Sequence, residues 1–577
     1  MKSARLLALL LLFLVPLALR LWPIGHGLPR NYIPDSNVPR AALSMARDHD
    51  FVPPAGTYTN YPNLLPYLLL PVYAAEYAAG RSAGRWADSK EFGTRMLEHP
   101  EDAQLPARIL VALLGALTPW VVFRTARAAG LERGAWIAAW LVGTSLLHAH
   151  FSVQERPWVP MSFFLALAAW PAVLHAQSGS TKHLVLSGLA AALSFSVHQG
   201  GLGALGLCAL AWAFGPSGWR GKALARRLGQ GLACVAAFVV LALVAGHPHY
   251  LVHGRTEVQH VIGKGSVAEQ GGIEIGGMSL VFQVRPESLV RLSRALFGYD
   301  PLLVALGLVG LWSAWKLRPL RAPLLFLLAW AAFFMTNTSD HVRYLLPVVV
   351  LLALPAGLVA ERWLTTRASS AALGLLLCFP LVEVLRLDLV LRRADTRAEA
   401  EARLESLPPE AVVALDRYGP EVEFDRAAIY RLETLRNSRH EPLRSRELYR
   451  KERFDRGQLP PGAGANVLKV EELFEIDERR GTVAVRPGLE PLGNEPQAVL
   501  RALHATHFLR VVRRLDGSQP ELLDVLVKGK SPVWVLDPAS GPAGTREAFL
   551  PTEMDFPLSG LWSVGRPGPR LELYALD

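Results

Sequence analysis

Long apolar blocks with almost no charge constrain this chain more than any other feature. They run at 6–22, 62–80, 104–125, 134–151, 158–176, 183–198, 201–215, 228–246, 301–316, 322–336, 344–361 and 369–387. As helices rising about 1.5 Å per residue, such blocks reach across a hydrocarbon core of roughly 30 Å. The expected class is therefore an α-helical polytopic membrane bundle. Hydrophobic residues make up 51% of the chain and charged residues 19%, so its 577 residues do not divide into three or four soluble domains. The net charge of +10 would suit a nucleic-acid binder. However, the arginines fall mostly in short loops between apolar blocks, as membrane orientation requires, and nucleic acid is not an expected partner. Cys208, Cys234 and Cys378 all lie inside apolar blocks and read as small hydrophobes, not a disulfide framework. Lys2 and Arg5 precede Leu6–Leu19, and Arg20, Leu21 and Trp22 follow in place of a small-x-small cleavage site. An uncleaved first helix is expected.

Basic loops decide how many blocks cross. With Lys2 and Arg5 cytoplasmic, crossing by 62–80 would put the loops bearing Arg124/Arg127/Arg133, Arg220/Lys222/Arg226/Arg227, Lys316/Arg318/Arg321 and Arg362/Arg367 outside. If 62–80 does not cross, all of them fall inside, which satisfies the positive-inside rule throughout. That segment is broken by Pro66 and Pro71 and rich in tyrosine (Tyr61, Tyr67, Tyr73, Tyr77), which suits a helix lying in the interface. The expectation is about eleven crossings plus interfacial helices in the first outer loop, with the N-terminus inside and the C-terminus outside.

From about residue 388 charge rises sharply and no later stretch is long enough to span. Short β-like runs (Ala411–Leu415, Pro532–Leu536, Leu571–Leu576) alternate with helix-like and Pro/Gly-rich stretches. The expected division is a transmembrane domain over 1–387 and a soluble extracytoplasmic α/β domain over 388–577. His504 and His507 are spaced for one helical face, with no acid partner evident.

In this topology every outer turn brings an acid, imidazole or guanidinium to headgroup depth. The first carries Asp35; the second Gln154-Glu155-Arg156-Pro157-Trp158; the third His198-Gln199-Gly200-Gly201; the fourth His247-Pro248-His249-Tyr250; the fifth Asp340-His341-Val342-Arg343-Tyr344. Ionisable groups beside a bilayer are costly unless they meet a cavity, a partner or water, so the set reads as a site and not as solvated helix ends. A carboxylate there can take a proton from a hydroxyl, an arginine fork can hold a phosphate, and an acid with histidines can hold a divalent cation (Mg, Mn or Zn). Gly263-Lys264-Gly265-Ser266 lacks the glycine spacing of a P-loop and reads as a loop. Asn337-Thr338-Ser339 is a formal glycosylation sequon.

Pro34-Asp35, Tyr61-Pro62-Asn63-Leu64-Leu65-Pro66-Tyr67-Leu68, Leu105-Pro106-Ala107-Arg108, Gln154-Glu155-Arg156-Pro157-Trp158, Arg343-Tyr344-Leu345-Leu346-Pro347 and the later Asp395-Thr396-Arg397 occur in an order found elsewhere. Over about residues 1–420 the chain resembles GT-C glycosyltransferases of the protein O-mannosyltransferase and aminoarabinose transferase type. The resemblance implies inverting transfer of a sugar from a polyprenyl-phosphate donor to an extracytoplasmic protein, lipid or glycan acceptor in the cell envelope. Asp35 matches the loop aspartate that acts as base. Arg343, with Tyr344 beside it, matches the arginine near the donor phosphate, and His247 and His249 are candidates to assist it. Glu155 matches an acid that binds metal or places substrate, and Arg156, His198 and Tyr61 complete the expected substrate contacts. Ser36 follows Asp35 where many relatives carry an acidic pair, and His198 stands where many have a lysine.

Two other classes compete with a transferase. A transporter or flippase of an envelope precursor would need charged or helix-breaking midplane positions and a repeat between halves. The midplane positions here are Leu, Ala, Val and Gly, and no repeat is evident. A non-catalytic assembly or receptor protein would work through 388–577 alone.

Overall fold

The structure, a computed structural model, describes residues 2–30, 32–33, 36–54, 56–216, 218–253, 272–275, 278–281, 286–336, 341–477, 482–512, 523–539 and 558–576. The chain separates into two compact units: Met1–Gly25 with Asp35–Asp388, and His26–Pro34 with Leu389–Asp577.

Every apolar block is helical in the first unit. Its helices are α1 (Lys2–Leu21), α2 (Val38–Asp48), α3 (Leu64–Ser82), α4 (Ser89–Glu98), α5 (Pro100–Ala128), α6 (Arg133–Gly143), α7 (Leu146–Ser152), α8 (Trp158–Ser178), α9 (Thr181–Val197), α10 (Gly203–Phe214), α11 (Gly221–Ala245), α12 (Pro286–Tyr299), α13 (Pro301–Lys316), α14 (Arg321–Thr336), α15 (Leu346–Trp363) and α16 (Arg367–Leu391). A short hairpin, β1 (Gly272–Ile275) and β2 (Met278–Val281), follows α11. Among the described residues, five helical runs can cross a membrane by length and composition: Pro100–Ala128, Trp158–Ser178, Gly221–Ala245, Val342–Trp363 and Arg367–Glu405. A sixth span forms if α12 and α13, bent by 116° at Asp300, count as one. Up to its last turn, Glu361–Trp363, the core helix α15 is apolar and buried all round, as a central bundle helix must be. Small residues allow close approach to it. A Cβ on Gly357 would stand 2.4 Å from the Gly134 carbonyl oxygen of α6, and one on Gly310 of α13 would stand 2.2 Å from that of Pro355.

One block departs from expectation. The 134–151 stretch is not a single helix but α6 and α7, broken at Thr144–Ser145. Both broken ends are satisfied from elsewhere in the chain. Arg20 donates to the Gly143 carbonyl (3.1 Å), while the buried Asp300 carboxylate accepts from Ser145 Oγ (2.8 Å) and the Leu146 amide (2.9 Å). An apolar surrounding tolerates a break only when the freed backbone groups find such partners. Cys208 and Cys234 are buried as expected, whereas Cys378 is exposed on α16.

The second unit is α/β. Its helices α17 (Thr396–Glu405), α18 (Arg426–Asn437), α19 (Ser445–Asp455) and α20 (Pro496–Ala502) flank a five-stranded sheet in the order β4 (Val467–Lys469), β3 (Val413–Leu415), β7 (His507–Val512), β9 (Arg570–Ala575), β8 (Trp534–Leu536). The pairs β3–β4 and β3–β7 are parallel, while β7–β9 and β8–β9 are antiparallel. A separate hairpin joins β5 (Phe474–Asp477) to β6 (Thr482–Val485). Alternate residues feed two apolar layers: Val413, Leu415, Leu509 and Val511 on one face, Val412, Ala414, Phe508 and Leu468 on the other. The three β-like runs read from sequence become β3, β8 and β9. His504 and His507 do not share a helical face: His504 takes a left-handed conformation after α20 (φ 56°), and His507 begins β7.

The segment His26–Pro34 belongs to this unit through two anchors. Arg30 pairs with Glu401 and Glu423. The Arg397 guanidinium lies 4.1 Å over the Tyr32 ring and grips Asp395 with two bonds (2.9 and 2.8 Å). The Asp395-Thr396-Arg397 motif is thus an architectural node.

Candidate functional site

Helix ends distant in sequence meet at one end of the first unit. The Asn63 amide, just before α3, donates to the Gly246 carbonyl after α11 (2.9 Å), and the Gln199 side chain donates to the Asn60 carbonyl. Tyr61 lies 5.4 Å from the His198 ring, and His198 lies 4.0 Å from Trp158, the first residue of α8. Trp158 meets Tyr344 edge to face at 5.0 Å, and the Arg343 guanidinium stands 4.9 Å over the Trp158 ring. Arg343 and Tyr344 sit on a 3-10 turn, Val342–Leu345, held by Trp330 Nε1 donating to the Tyr344 carbonyl (2.8 Å). The Gly200 amide donates to His198 Nδ1 (2.9 Å), so the neutral imidazole carries its proton on Nε2. Tyr61, His198, Arg343 and Tyr344, all singled out from sequence, thus share one cluster, and Trp158 is its hub. An aromatic platform under a guanidinium keeps the charge while restricting its orientation.

Glu155 lies in the turn between α7 and α8, where its carboxylate accepts from Arg108 Nε at 2.7 Å with both side chains wholly buried. Arg108 also donates to the Ile24 carbonyl after α1 (3.0 Å). Glu155 Oε1 and Trp158 Nε1 are buried without a hydrogen-bond partner among the described residues. Arg156 is buried beside them in the same turn. A cation at Glu155 would share Oε1 or displace the guanidinium. Among the described residues no three His, Cys, Asp or Glu side chains gather to hold a metal.

His247 and His249 build a second cluster. Their rings are 5.7 Å apart, with Phe195 4.5 Å from His247 and Tyr250 4.3 Å from His249. His247 Nε2 is buried and has no hydrogen-bond partner among the described residues. Asp35, Asp340, the 263–266 glycine loop and the 337–339 sequon lie outside the described residues.

Sequence reasoning passed over Arg108 and Trp158 as site residues. A signal existed for Arg108, because an arginine inside an apolar block must find a counter-charge. Trp158 carried none, since tryptophan at a helix start is common at any membrane interface.

Residues 93–247 match the family model described as dolichyl-phosphate-mannose-protein mannosyltransferase. That stretch holds Arg108, Glu155, Arg156, Trp158, His198 and His247, and the match bears out the glycosyltransferase resemblance read from the motifs. No curated protein matches the chain. Among solved structures, apo ArnT from Cupriavidus metallidurans is similar at 15% identity, covering 80% of this chain and 89% of that one with a TM-score of 0.47. ArnT from Cupriavidus metallidurans bound to undecaprenyl phosphate is similar at 16% identity, over 70% of this chain and 66% of that one, TM-score 0.41. The oligosaccharyltransferase AglB from Archaeoglobus fulgidus, in complex with an inhibitory peptide and a dolichol-phosphate, is similar at 13% identity over 89% and 70%, TM-score 0.42. These are distant likenesses, and the functional reading rests on the residues and the family match instead.

Proposed function

We propose that the protein is a membrane glycosyltransferase that moves a sugar from a polyprenyl-phosphate donor to an extracytoplasmic acceptor with inversion. The observation that carries this reading is the Arg343 guanidinium held over Trp158 beside Tyr344 and His198, in a chain whose 93–247 stretch matches a sugar-transferase family. A guanidinium fork fits the phosphate of the donor and offsets the charge that grows there as the bond from the anomeric carbon to phosphate oxygen breaks. The acceptor hydroxyl forms the new bond to that carbon, its proton passes to the Asp35 carboxylate, and polyprenyl phosphate leaves. Glu155, fixed by Arg108, orders the second outer turn, and Tyr61 and His198 offer aromatic and hydrogen-bonding surface to the sugar.

The eleven-crossing topology, with N-terminus inside and the 388–577 region outside, belongs to the same proposal. One contact supports it. Tyr73, halfway along α3, donates to the Ala103 carbonyl in the first turn of α5 (2.5 Å), beyond Arg108 and on the site's side of the bundle. A traversing α3 would have descended about 13 Å by then.

The direct test uses purified protein in liposomes with a panel of radiolabelled polyprenyl-phosphate sugars and the cell-envelope fraction as acceptor. Transfer by the native protein and its loss in Asp35→Asn, with unchanged melting behaviour, is the expected result. Retained transfer in that variant would remove Asp35 as base. Absence of transfer from every donor, with flux of intact substrate instead, would replace the enzyme reading with a transporter.

A further inference from the structure

We infer that the second unit carries a binding site for a small anionic saccharide, one bearing a phosphate or a carboxylate. The site is built wholly from that unit, and the inference stands independently of the transfer reaction.

A cavity of ≈ 560 Å³ opens there, within the roughly 300–1,000 Å³ typical of small-molecule sites. Arg417 follows β3 and Glu471 and Glu472 follow β4, so the cavity lies outside the carboxyl ends of neighbouring parallel strands. Ligands of α/β sheets bind in that position because strand ends there diverge into loops. The turn after β3 also holds Tyr418 in the left-handed region (φ 66°), with the Arg417 guanidinium 4.8 Å from its ring. A non-glycine residue in that region is strained, and such strain gathers at ligand sites.

The charges lining the cavity do not all cancel. Glu472 is taken by Arg436 and by Arg439 (2.6 Å), and Arg439 also holds Glu441 (3.0 Å). Arg417 is engaged with the Tyr418 ring, and two further lining guanidinium groups remain. Arg444 comes only within 3.8 Å of Glu472 and is 56% exposed at the rim. Arg486, just after β6, has no ion pair among the described residues, and its buried Nε has no hydrogen-bond partner. A buried donor left unmet is costly, and an anion supplied by a ligand would satisfy it with a charge-assisted bond. Glu471 faces the cavity as an acceptor for hydroxyl groups, while half-buried Ile476 of β5, backed by the core residue Phe474, supplies apolar surface beside it. A purely apolar body would strand the arginines, and a bare ion would leave most of the volume unfilled.

Isothermal titration of the full-length protein in detergent tests this with glucose 1-phosphate, glucuronate, glucose and inorganic phosphate. Saturable binding of at least one charged sugar is expected, with glucose silent and inorganic phosphate weaker. Arg486→Gln should weaken binding roughly tenfold and Arg444→Gln by a few-fold, as loss of one charge-assisted bond predicts. Arg444 is exposed, so its variant keeps the test valid if Arg486→Gln lowers the melting temperature. The inference is overturned if neither charged sugar binds, if both variants bind unchanged, or if glucose or phosphate alone binds as tightly. Displacement of the sugar by phosphatidylglycerol vesicles but not phosphatidylcholine vesicles would assign the site to a lipid headgroup and also overturn it.

Discussion

Arg108 of α5 and Glu155 of the α7–α8 turn form a 2.7 Å ion pair from which solvent is wholly excluded. The pair ties the second outer turn to α5 and, through the Ile24 carbonyl, to the end of α1. Removing one partner leaves the other charge buried and uncompensated, at a cost of about 3–5 kcal/mol. Arg108→Ala should therefore lower the melting temperature sharply and abolish transfer. Glu155→Gln, which keeps shape and one hydrogen bond, should be milder. Thermal unfolding of both variants in detergent checks the order, and equal stability would argue against a structural role for the pair.

Arg343 is distinguished from a simple positive charge by its seat on Trp158. Lysine lacks both the planar fork and the stacking face. Arg343→Lys should reduce kcat/KM for the lipid-linked donor by about a hundredfold, equal to roughly 2.7 kcal/mol. Trp158→Leu should lower it less while raising KM. Steady-state kinetics over a donor series separates the two, and near-native kcat/KM in Arg343→Lys would exclude a role that depends on the guanidinium fork and its seat on Trp158.

Gly568 is held at φ +100°, and a Cβ there would stand 2.1 Å from Thr396 Oγ1 and 2.4 Å from Asp395 Oδ1. Gly568→Ala should push Asp395 out of its grip on Arg397 and destabilise the second unit by about 3 kcal/mol or more. Limited proteolysis of the full-length protein is the readout, with faster cleavage within 389–577 expected.

Acid should weaken the same unit. Burial raises the Glu423 carboxyl, but Arg450, Arg446 and Arg30 outweigh it and hold the group below the usual glutamate range. Burial likewise opposes, and Arg436 and Arg439 prevail, at Glu472; Tyr574, Arg570 and Arg510 do so at Glu572. A folded pKa below the unfolded value of about 4.3 means stability present above that pH and lost as pH falls through the folded value. Asp425, raised by burial, runs the other way and offsets part of the loss. The second unit's unfolding midpoint should fall steadily from pH 5 to pH 3. A flat profile there would contradict these pairings.

Most of the helical layout was legible in the sequence because uncharged apolar runs have one cheap conformation beside lipid. The break at Thr144–Ser145 was not, since Asp300 and Arg20, which satisfy it, lie 155 and 123 positions from the groups they bond. The strand β7 was missed because His504 and His507 suggested a helical face, while its real partners are β3 and β9. Outer-turn residues were readable as candidates from charge beside apolar runs. Their grouping was not, because a ring contact such as that of Trp158 with His198 leaves no periodic mark.

By itself the sequence determined which segments are helical and which turns carry charge, because burial and backbone hydrogen bonding depend on local composition. Tertiary structure alone decided which charges meet. It paired Arg108 with Glu155, seated Arg343 on Trp158, and left Arg486 facing a cavity. Such contacts join residues far apart in the chain, so only the packed geometry brings them within the few ångströms over which they act.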